Sequence, residues 1–294
     1  MFEELHVPRY ATWARERSQA SMAHLYAYAL AHRQVAQELV IAGQVQMSFL
    51  PASPPSVPGW QLSAVLKPAR ETSGDFFDFI PLPNGRWGIV VADVADKGIG
   101  AALYMALSRT LIRTYASEYH ARPDFALRVT NRRILTDTQA DMFVTAFYGV
   151  FDPSTGILNY CNAGHNPPYL LHPDRSADKR IVAQPLHRTG MALGVTRDAM
   201  WEEAVIHMDP GSLLVLYTDG ITEAHNAQAT LFGEERLLQA VQTAIATQAG
   251  QGLTAQDIQN ALLTAVREFA GDTPQFDDIT LMIVVRDLAD GAQE

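Results

Sequence analysis

The spacing of apolar positions changes character at a single break near the start of this chain. Residues 12–49 contain no proline and only Gly43, so composition and periodicity predict one long helix. Within it Leu25, Tyr28, His32, Val35, Leu39, Ala42, Gln46 and Phe49 alternate steps of three and four, the spacing of a coiled-coil seam made imperfect by His32 and Gln46. A helix lying on its own domain is the competing reading. The stretch Leu50-Pro51-Ala52-Ser53-Pro54-Pro55-Ser56-Val57-Pro58-Gly59 cannot continue a helix, because proline lacks the amide donor. It divides the chain into a helical segment, 1–50, suited to dimerisation, and a second unit, 51–294.

From Trp60 the pattern shortens to strand-like runs. Residues 61–67, 76–82 and 86–92 predict strands, with Pro83-Asn84-Gly85 as a hairpin turn between the last two. Two helices follow. The first, 98–119, places Leu103, Ala106, Leu107, Thr110, Leu111 and Thr114 on one face, and the second, 123–138, carries Phe125, Leu127, Val129 and Ile134. Strands return at 143–151, 157–162, 169–172, 201–207 and 213–217, then helices near 234–247 and 254–269, and a last strand at 279–285. Strands in clusters separated by paired helices define an α+β class rather than an alternating βαβ sheet.

Bulk properties narrow the function classes. With 294 residues, 48% of them hydrophobic, the chain can bury a large core. A net charge of −10 argues against nucleic acid as an electrostatically steered partner. The lone Cys161 excludes an internal disulfide and a thiolate metal cage, and its apolar setting, Leu158-Asn159-Tyr160-Cys161, does not suit a nucleophile. Residues 1–17 contain no apolar signal region and no later stretch is apolar enough to span a bilayer, so the expectation is a soluble, cytoplasmic chain without membrane contact.

Four aspartate sites sit where strands meet turns: Ser73-Gly74-Asp75-Phe76-Phe77-Asp78, Asp93-Val94-Ala95-Asp96-Lys97-Gly98, Tyr217-Thr218-Asp219-Gly220 and Asp277-Asp278-Ile279-Thr280. Strand ends can deliver such carboxylates to one sheet edge, where they repel unless a cation lies between them. Hard oxygen donors without a Cys or His set select Mg²⁺ or Mn²⁺ over zinc, which points to a metal-dependent hydrolase.

These motifs, with Pro68-Ala69-Arg70-Glu71-Thr72 ahead of them and the loop Asn162-Ala163-Gly164-His165-Asn166-Pro167-Pro168, resemble the bacterial branch of the metal-dependent protein phosphatases. This is the protein phosphatase 2C-like group typified by stage II sporulation E and the sigma-B regulator phosphatases. The resemblance runs from about Phe49 to Val285. It implies an αββα sandwich of two mainly antiparallel sheets, a site for two Mn²⁺ or Mg²⁺ ions, and hydrolysis of phosphoserine or phosphothreonine on a protein such as an anti-sigma factor antagonist. A helical linker that relays signals is usual ahead of such domains.

Carried over by position, the resemblance makes Asp93 the ligand bridging both metals, with the backbone carbonyl of Val94 beside it. Asp75 serves the second metal, and Asp219 and Asp277 hold the first. Two metals sharing one hydroxide would lower its pKa and stabilise in-line displacement at phosphorus without an enzyme nucleophile. Of the pair Asp277 and Asp278, both candidates, Asp277 is preferred, since adjacent residues entering a strand point to opposite faces. Asp78 is expected to face away from Asp75, and Asp96 stands where the group more usually has glycine. Arg70 matches the phosphate-gripping arginine of the wider family. Ala95 occupies the position of a proposed general-acid histidine, and His165 is expected to serve structure. Gly74, Gly98 and Gly220 are expected to allow tight turns at positive φ. The alternative function is a non-catalytic docking module on the same fold, disfavoured because such a module has no reason to keep a costly carboxylate cluster.

Overall fold

The computed structural model describes residues 8–139, 141–173, 181–247 and 254–288, with side chains from Met22 onward except at 23, 25, 27, 173 and 181. Helix α1 (Pro8–Met47) is followed by strands β1 (Trp60–Lys67), β2 (Phe76–Pro81) and β3 (Trp87–Val94), then helices α2 (Ile99–Glu118) and α3 (Pro123–Asp137). Strands β4 (Val144–Asp152), β5 (Ile157–Ala163), β6 (Tyr169–Pro173), β7 (Ile181–Pro185), β8 (Ala204–His207) and β9 (Leu213–Tyr217) come next. The one-turn helix α4 (Asp219–Thr222), helices α5 (Gly233–Thr247) and α6 (Ala255–Ala270), and strand β10 (Ile279–Arg286) complete the order.

The strands form two five-stranded sheets, in the orders β1-β10-β9-β6-β7 and β2-β3-β4-β5-β8, and every named pair is antiparallel. Period-two alternation explains how the layers stack. On β9, Leu214 and Leu216 join the core between the sheets, whereas Leu213, Val215 and Tyr217 join a second core under α5 and α6. On β10, Met282 and Val284 face inward and Leu281 and Ile283 outward in the same way. The other sheet is covered by α2 and α3, whose Met105, Ile112, Leu127 and Ile134 are buried. The result is an αββα sandwich.

Three details depart from the sequence reading. Strand β7 lies in a stretch where no strand was expected, and the strand expected over 201–207 shortens to β8. Helix α2 presents a different face from the one read off its leucines. Leu103 is 69% exposed and Thr110 and Thr114 are exposed, while the small residues Ala101, Ala102, Ser108 and Ala116 pack inward. Small side chains let the helix axis approach the sheet closely, and counting bulky apolar residues misses that. The two threonines satisfy their hydroxyls on their own helix, at the carbonyls of Ala106 and Thr110.

The coiled-coil seam also changes. Tyr28 and Val35 are exposed, and the side chain of Leu25 lies outside the described residues. Gln46, however, turns into the body and is buried, and Phe49 lies beyond the helix end. Gly43 faces the same way. A Cβ there would collide with the carbonyl of Glu71, so glycine is what lets the helix reach the body. Leu50 and Val57, from the proline-rich connection, are both buried in the main core.

Candidate active site

Antiparallel pairing puts the end of one strand beside the start of its neighbour. Asp75 immediately precedes β2 and Asp93 lies near the end of β3, where Phe76 pairs with Ala92. In the other sheet, Asp219 follows β9 and Asp277 precedes β10, where Leu281 pairs with Tyr217. Each sheet therefore supplies two acids, and stacking brings the pairs together: Asp93 feels the charges of both Asp219 and Asp277.

The electrostatics of this cluster follow from crowding out of water. Asp75 is 2% exposed, and burial, then the Asp93 charge, holds its pKa well above the usual carboxylate range. Its Oδ2 accepts hydrogen bonds from the hydroxyls of Thr218 (2.7 Å) and Thr280 (2.8 Å), which act in the opposite sense. Burial, then Asp219, pushes Asp93 up to about 7, and a hydrogen bond with Asp75 offsets part of this. Burial, then Asp277 and Glu223, pushes Asp219 up to about 6. Such carboxylates gain from a nearby cation.

One cation is already there. Lys97 Nζ lies 2.9 Å from Asp277 Oδ2, donates to the carbonyl of Phe276 and sits 3.9 Å from the centre of the Phe276 ring. Among the described residues no three His, Cys, Asp or Glu side chains already enclose a common metal position. The donor set itself, carboxylate oxygens with raised proton affinity and no competing thiolate or imidazole, fits a hard divalent ion. The Val94 carbonyl lies against the loop that carries Asp75, since a Cβ on Gly74 would stand 3.0 Å from it.

Asp278 is bound differently from its neighbour. Its Oδ1 accepts from the amide of Ala69 (2.7 Å), and its Oδ2 from the Ser73 hydroxyl (2.7 Å) and the Gly74 amide (2.8 Å). It thus clamps the loop that carries Asp75. Gln46 grips the same loop from the far side, its Oε1 accepting from the Ser73 amide (2.9 Å) and its Nε2 donating to the Ser73 carbonyl (2.5 Å). The end of α1 is in this way hydrogen-bonded two residues from Asp75.

His165 joins the sheets behind the acids. Its Nε2 lies 3.1 Å from the Tyr217 carbonyl, which can only accept, so Nε2 carries the proton and Nδ1 accepts from the Thr145 hydroxyl at 2.9 Å. Burial lowers its pKa to about 4 and keeps the ring neutral. These bonds tie β4 to the end of β9.

The remaining candidates are dispersed. Asp78 faces α2, where it pairs with Arg113 (2.7 Å) and Arg109 (2.9 Å), yet burial outweighs both arginines and raises its pKa. Arg70 is exposed, and no hydrogen bond or ion pair ties it to the carboxylates. Asp96 is exposed at φ 81°, a conformation in which glycine is ordinary. Of the three glycines expected at positive φ, only Gly98 has it, at 89°. Gly220 is required instead by close approach, because a Cβ would strike the carbonyl of Asp278. Thr218, Thr280, Lys97, Gln46 and Thr145 escaped the sequence reading as site residues. The two threonines lie inside the aspartate motifs, a signal that was available; the contacts of Gln46 and Thr145 span the fold and leave no local trace.

Comparison with known proteins places this geometry in a family. The family description for stage II sporulation protein E (SpoIIE) matches residues 83–287, and the chain belongs to that family. It is 33% identical over 275 residues to Protein IcfG of Synechocystis sp., covering 85% of this chain and 41% of that protein. It is 28% identical over 199 residues to the phosphoserine phosphatase RsbU of Bacillus subtilis, covering 68% of this chain and 57% of that one. The chain therefore spans about half the length of these relatives. Among solved structures, the SiaA-PP2C domain of Pseudomonas aeruginosa superposes with a TM-score of 0.72 at 22% identity, covering 88% of this chain and 99% of that one. The fold is that of the protein phosphatase 2C-like domains.

Proposed function

We propose that this chain is a metal-dependent serine/threonine protein phosphatase acting on a phosphorylated regulatory protein, such as an anti-sigma factor antagonist. The observation that carries the reading is the convergence of Asp75, Asp93, Asp219 and Asp277 from two sheets, with the proton affinities of Asp75, Asp93 and Asp219 raised by burial and by neighbouring carboxylates. The relative RsbU is a phosphoserine phosphatase, which supports the same reaction here. Asp93, Asp75, Asp219, Asp277 and the Val94 carbonyl would hold two Mn²⁺ or Mg²⁺ ions. When bound, these supply Lewis acidity at phosphorus and a water that ionises near neutral pH.

The chain's own groups do the rest. Thr218 and Thr280 fix the Asp75 carboxylate by occupying one of its oxygens, leaving the other directed at the site. Asp278 is the loop clamp rather than a ligand, since its oxygens are taken by Ala69, Ser73 and Gly74. Lys97 neutralises Asp277, and a divalent ion held there would take over that role and leave the ammonium for phosphate oxygens. Arg70, exposed on the loop after β1 and without an ion pair among the described residues, is the second cation for the phosphoryl group. Neutral His165 holds the two sheets in register and takes no proton. A phosphoserine protein incubated with Mn²⁺ should release phosphate, and a chelator should abolish the release. Full turnover in excess EDTA would refute the chemistry.

The segment 1–50 acts as the relay and dimerisation element. Exposed apolar side chains along α1, among them Val35, Ile41 and Val45, are available to a second copy, while Gln46 binds the Asp75 loop. Replacing Val35 and Leu39 with Asp places charge in that surface at a high desolvation cost. The variant should sediment as a monomer and change its hydrolytic rate. Unchanged mass with unchanged rate would leave α1 as an arm without a partner.

A further inference from the structure

Beside the acid cluster, between the C-terminal half of α6 and the loop leading into β10, lies a cavity of about 150 Å³. Leu263, Val266 and Ile279 are buried along its floor, and the half-buried Ala270 lines it. Its wall includes Gly220 and Asp277, the first adjacent to one candidate metal ligand and the second itself such a candidate. Lys67 and Arg267 are among the lining residues.

We propose that this cavity is a specificity subsite that receives one apolar side chain of the protein substrate, from a residue flanking the phosphorylated one. The inference rests on the phosphatase reading, because it needs a phosphorylated residue held at the acids. Three observations fix the occupant. Position comes first: successive residues of an extended segment are about 3.3 Å apart. A segment presenting its phosphate at Asp277 and Asp219 therefore brings a near neighbour to the cavity wall. Size is the second: an apolar cavity of about 150 Å³ accommodates a guest the size of benzene, the bulk of one Leu, Met or Phe side chain. Charge is the third. The lining carries both signs, Lys67 and Arg267 with Glu223 and Asp277, so it selects neither charge, and the apolar floor makes any buried charge costly, which leaves an aliphatic or aromatic group. The pocket gives a site otherwise built from charges a way of reading sequence next to a phosphate common to all its substrates.

The test compares two substrates on the full chain with Mn²⁺. A phosphoserine peptide series varies each residue within two positions of the phosphoserine among Leu, Phe, Ala, Lys and Asp, and p-nitrophenyl phosphate serves as a substrate with no flanking side chain. At one position kcat/KM should fall about tenfold or more from Leu or Phe to Ala and further to Lys or Asp, the scale on which an apolar pocket discriminates. Ala270→Leu, which fills the cavity, should erase that preference while leaving p-nitrophenyl phosphate turnover unchanged. Indifference to the flanking residues at every position would overturn the proposal, as would an equal loss on both substrates in Ala270→Leu. Should that variant not fold, the peptide series on the parent chain decides alone. A parent chain that hydrolyses neither substrate with metal would sink the phosphatase reading and the subsite together, whereas turnover without side-chain preference would sink the subsite only.

Discussion

Asp93→Asn and Asp219→Asn should each abolish turnover, by more than about 100-fold, since even outer partners of metal ligands are worth 10–100-fold. Both changes remove a charge at the mouth of the sheets and leave the apolar layers intact, so thermal unfolding should stay cooperative and divalent-ion binding by calorimetry should weaken. Asp93 is the more sensitive position because it feels carboxylates from both sheets. Asp277→Asn should behave similarly. Asp278→Asn should instead show its main effect on stability, because the amide nitrogen replaces one of the two accepting oxygens and either the Ala69 bond or the Ser73 and Gly74 bonds are lost. If Asp278→Asn lost ion binding while Asp277→Asn kept it, the assignment within this pair would be reversed. If Asp93→Asn kept full activity, the carboxylate cluster would not be the reactive centre.

The second large effect concerns pH in the metal-free protein. Burial and neighbouring carboxylates push Asp93 up to about 7 and Asp219 up to about 6, from an ordinary aspartate value of 3.8. A carboxyl group raised on folding stabilises the fold when protonated, so its contribution is full below about pH 4 and is lost as pH rises through 6 and 7. For Asp93 the shift corresponds to something on the order of 4 kcal/mol. In EDTA, therefore, Tm should climb by several degrees between pH 8 and pH 5.5, opposite to the usual trend for acids in salt bridges. Divalent ions should reverse it: at about 100 times Kd a ligand specific to the folded state adds about 2.7 kcal/mol. The increment from Mn²⁺ should be large at pH 8 and small at pH 5.5. A Tm that falls on acidification in EDTA, or is indifferent to Mn²⁺ at pH 8, would show that these acids are not uncompensated neighbours.

The acids were legible because they obey a local rule. A β-branched or aromatic run that stops at an aspartate marks a strand end, and antiparallel pairing then gathers such ends. The order of strands and helices follows from periodicity for the same reason. What stayed hidden depended on distance or on size. The inward face of α2 is built from Ala101, Ala102, Ser108 and Ala116, so its packing shows as smallness and not as hydrophobicity. Gln46 looked like a flaw in an apolar seam. Its real partner, the backbone of Ser73, is 27 residues away across a proline-rich connection. Likewise Gly220 resembled an ordinary turn glycine, and only the tertiary approach of Asp278 reveals why a side chain is excluded there.

The position of β10 has a consequence for synthesis. This strand lies between β1 and β9, pairing Trp60 with Arg286 at one end of the chain's β region and the other. A nascent chain that has emerged through β9 already carries Asp75, Asp93 and Asp219, but it has an open slot in its first sheet and lacks Asp277 and Asp278. Without Asp278 the loop bearing Asp75 lacks one of its two clamps, so the fourth acid of the cluster and that clamp arrive in a single event, the insertion of the last strand. The partly made chain therefore carries an incomplete cluster, and the four acids come together only when β10 has paired on both of its sides.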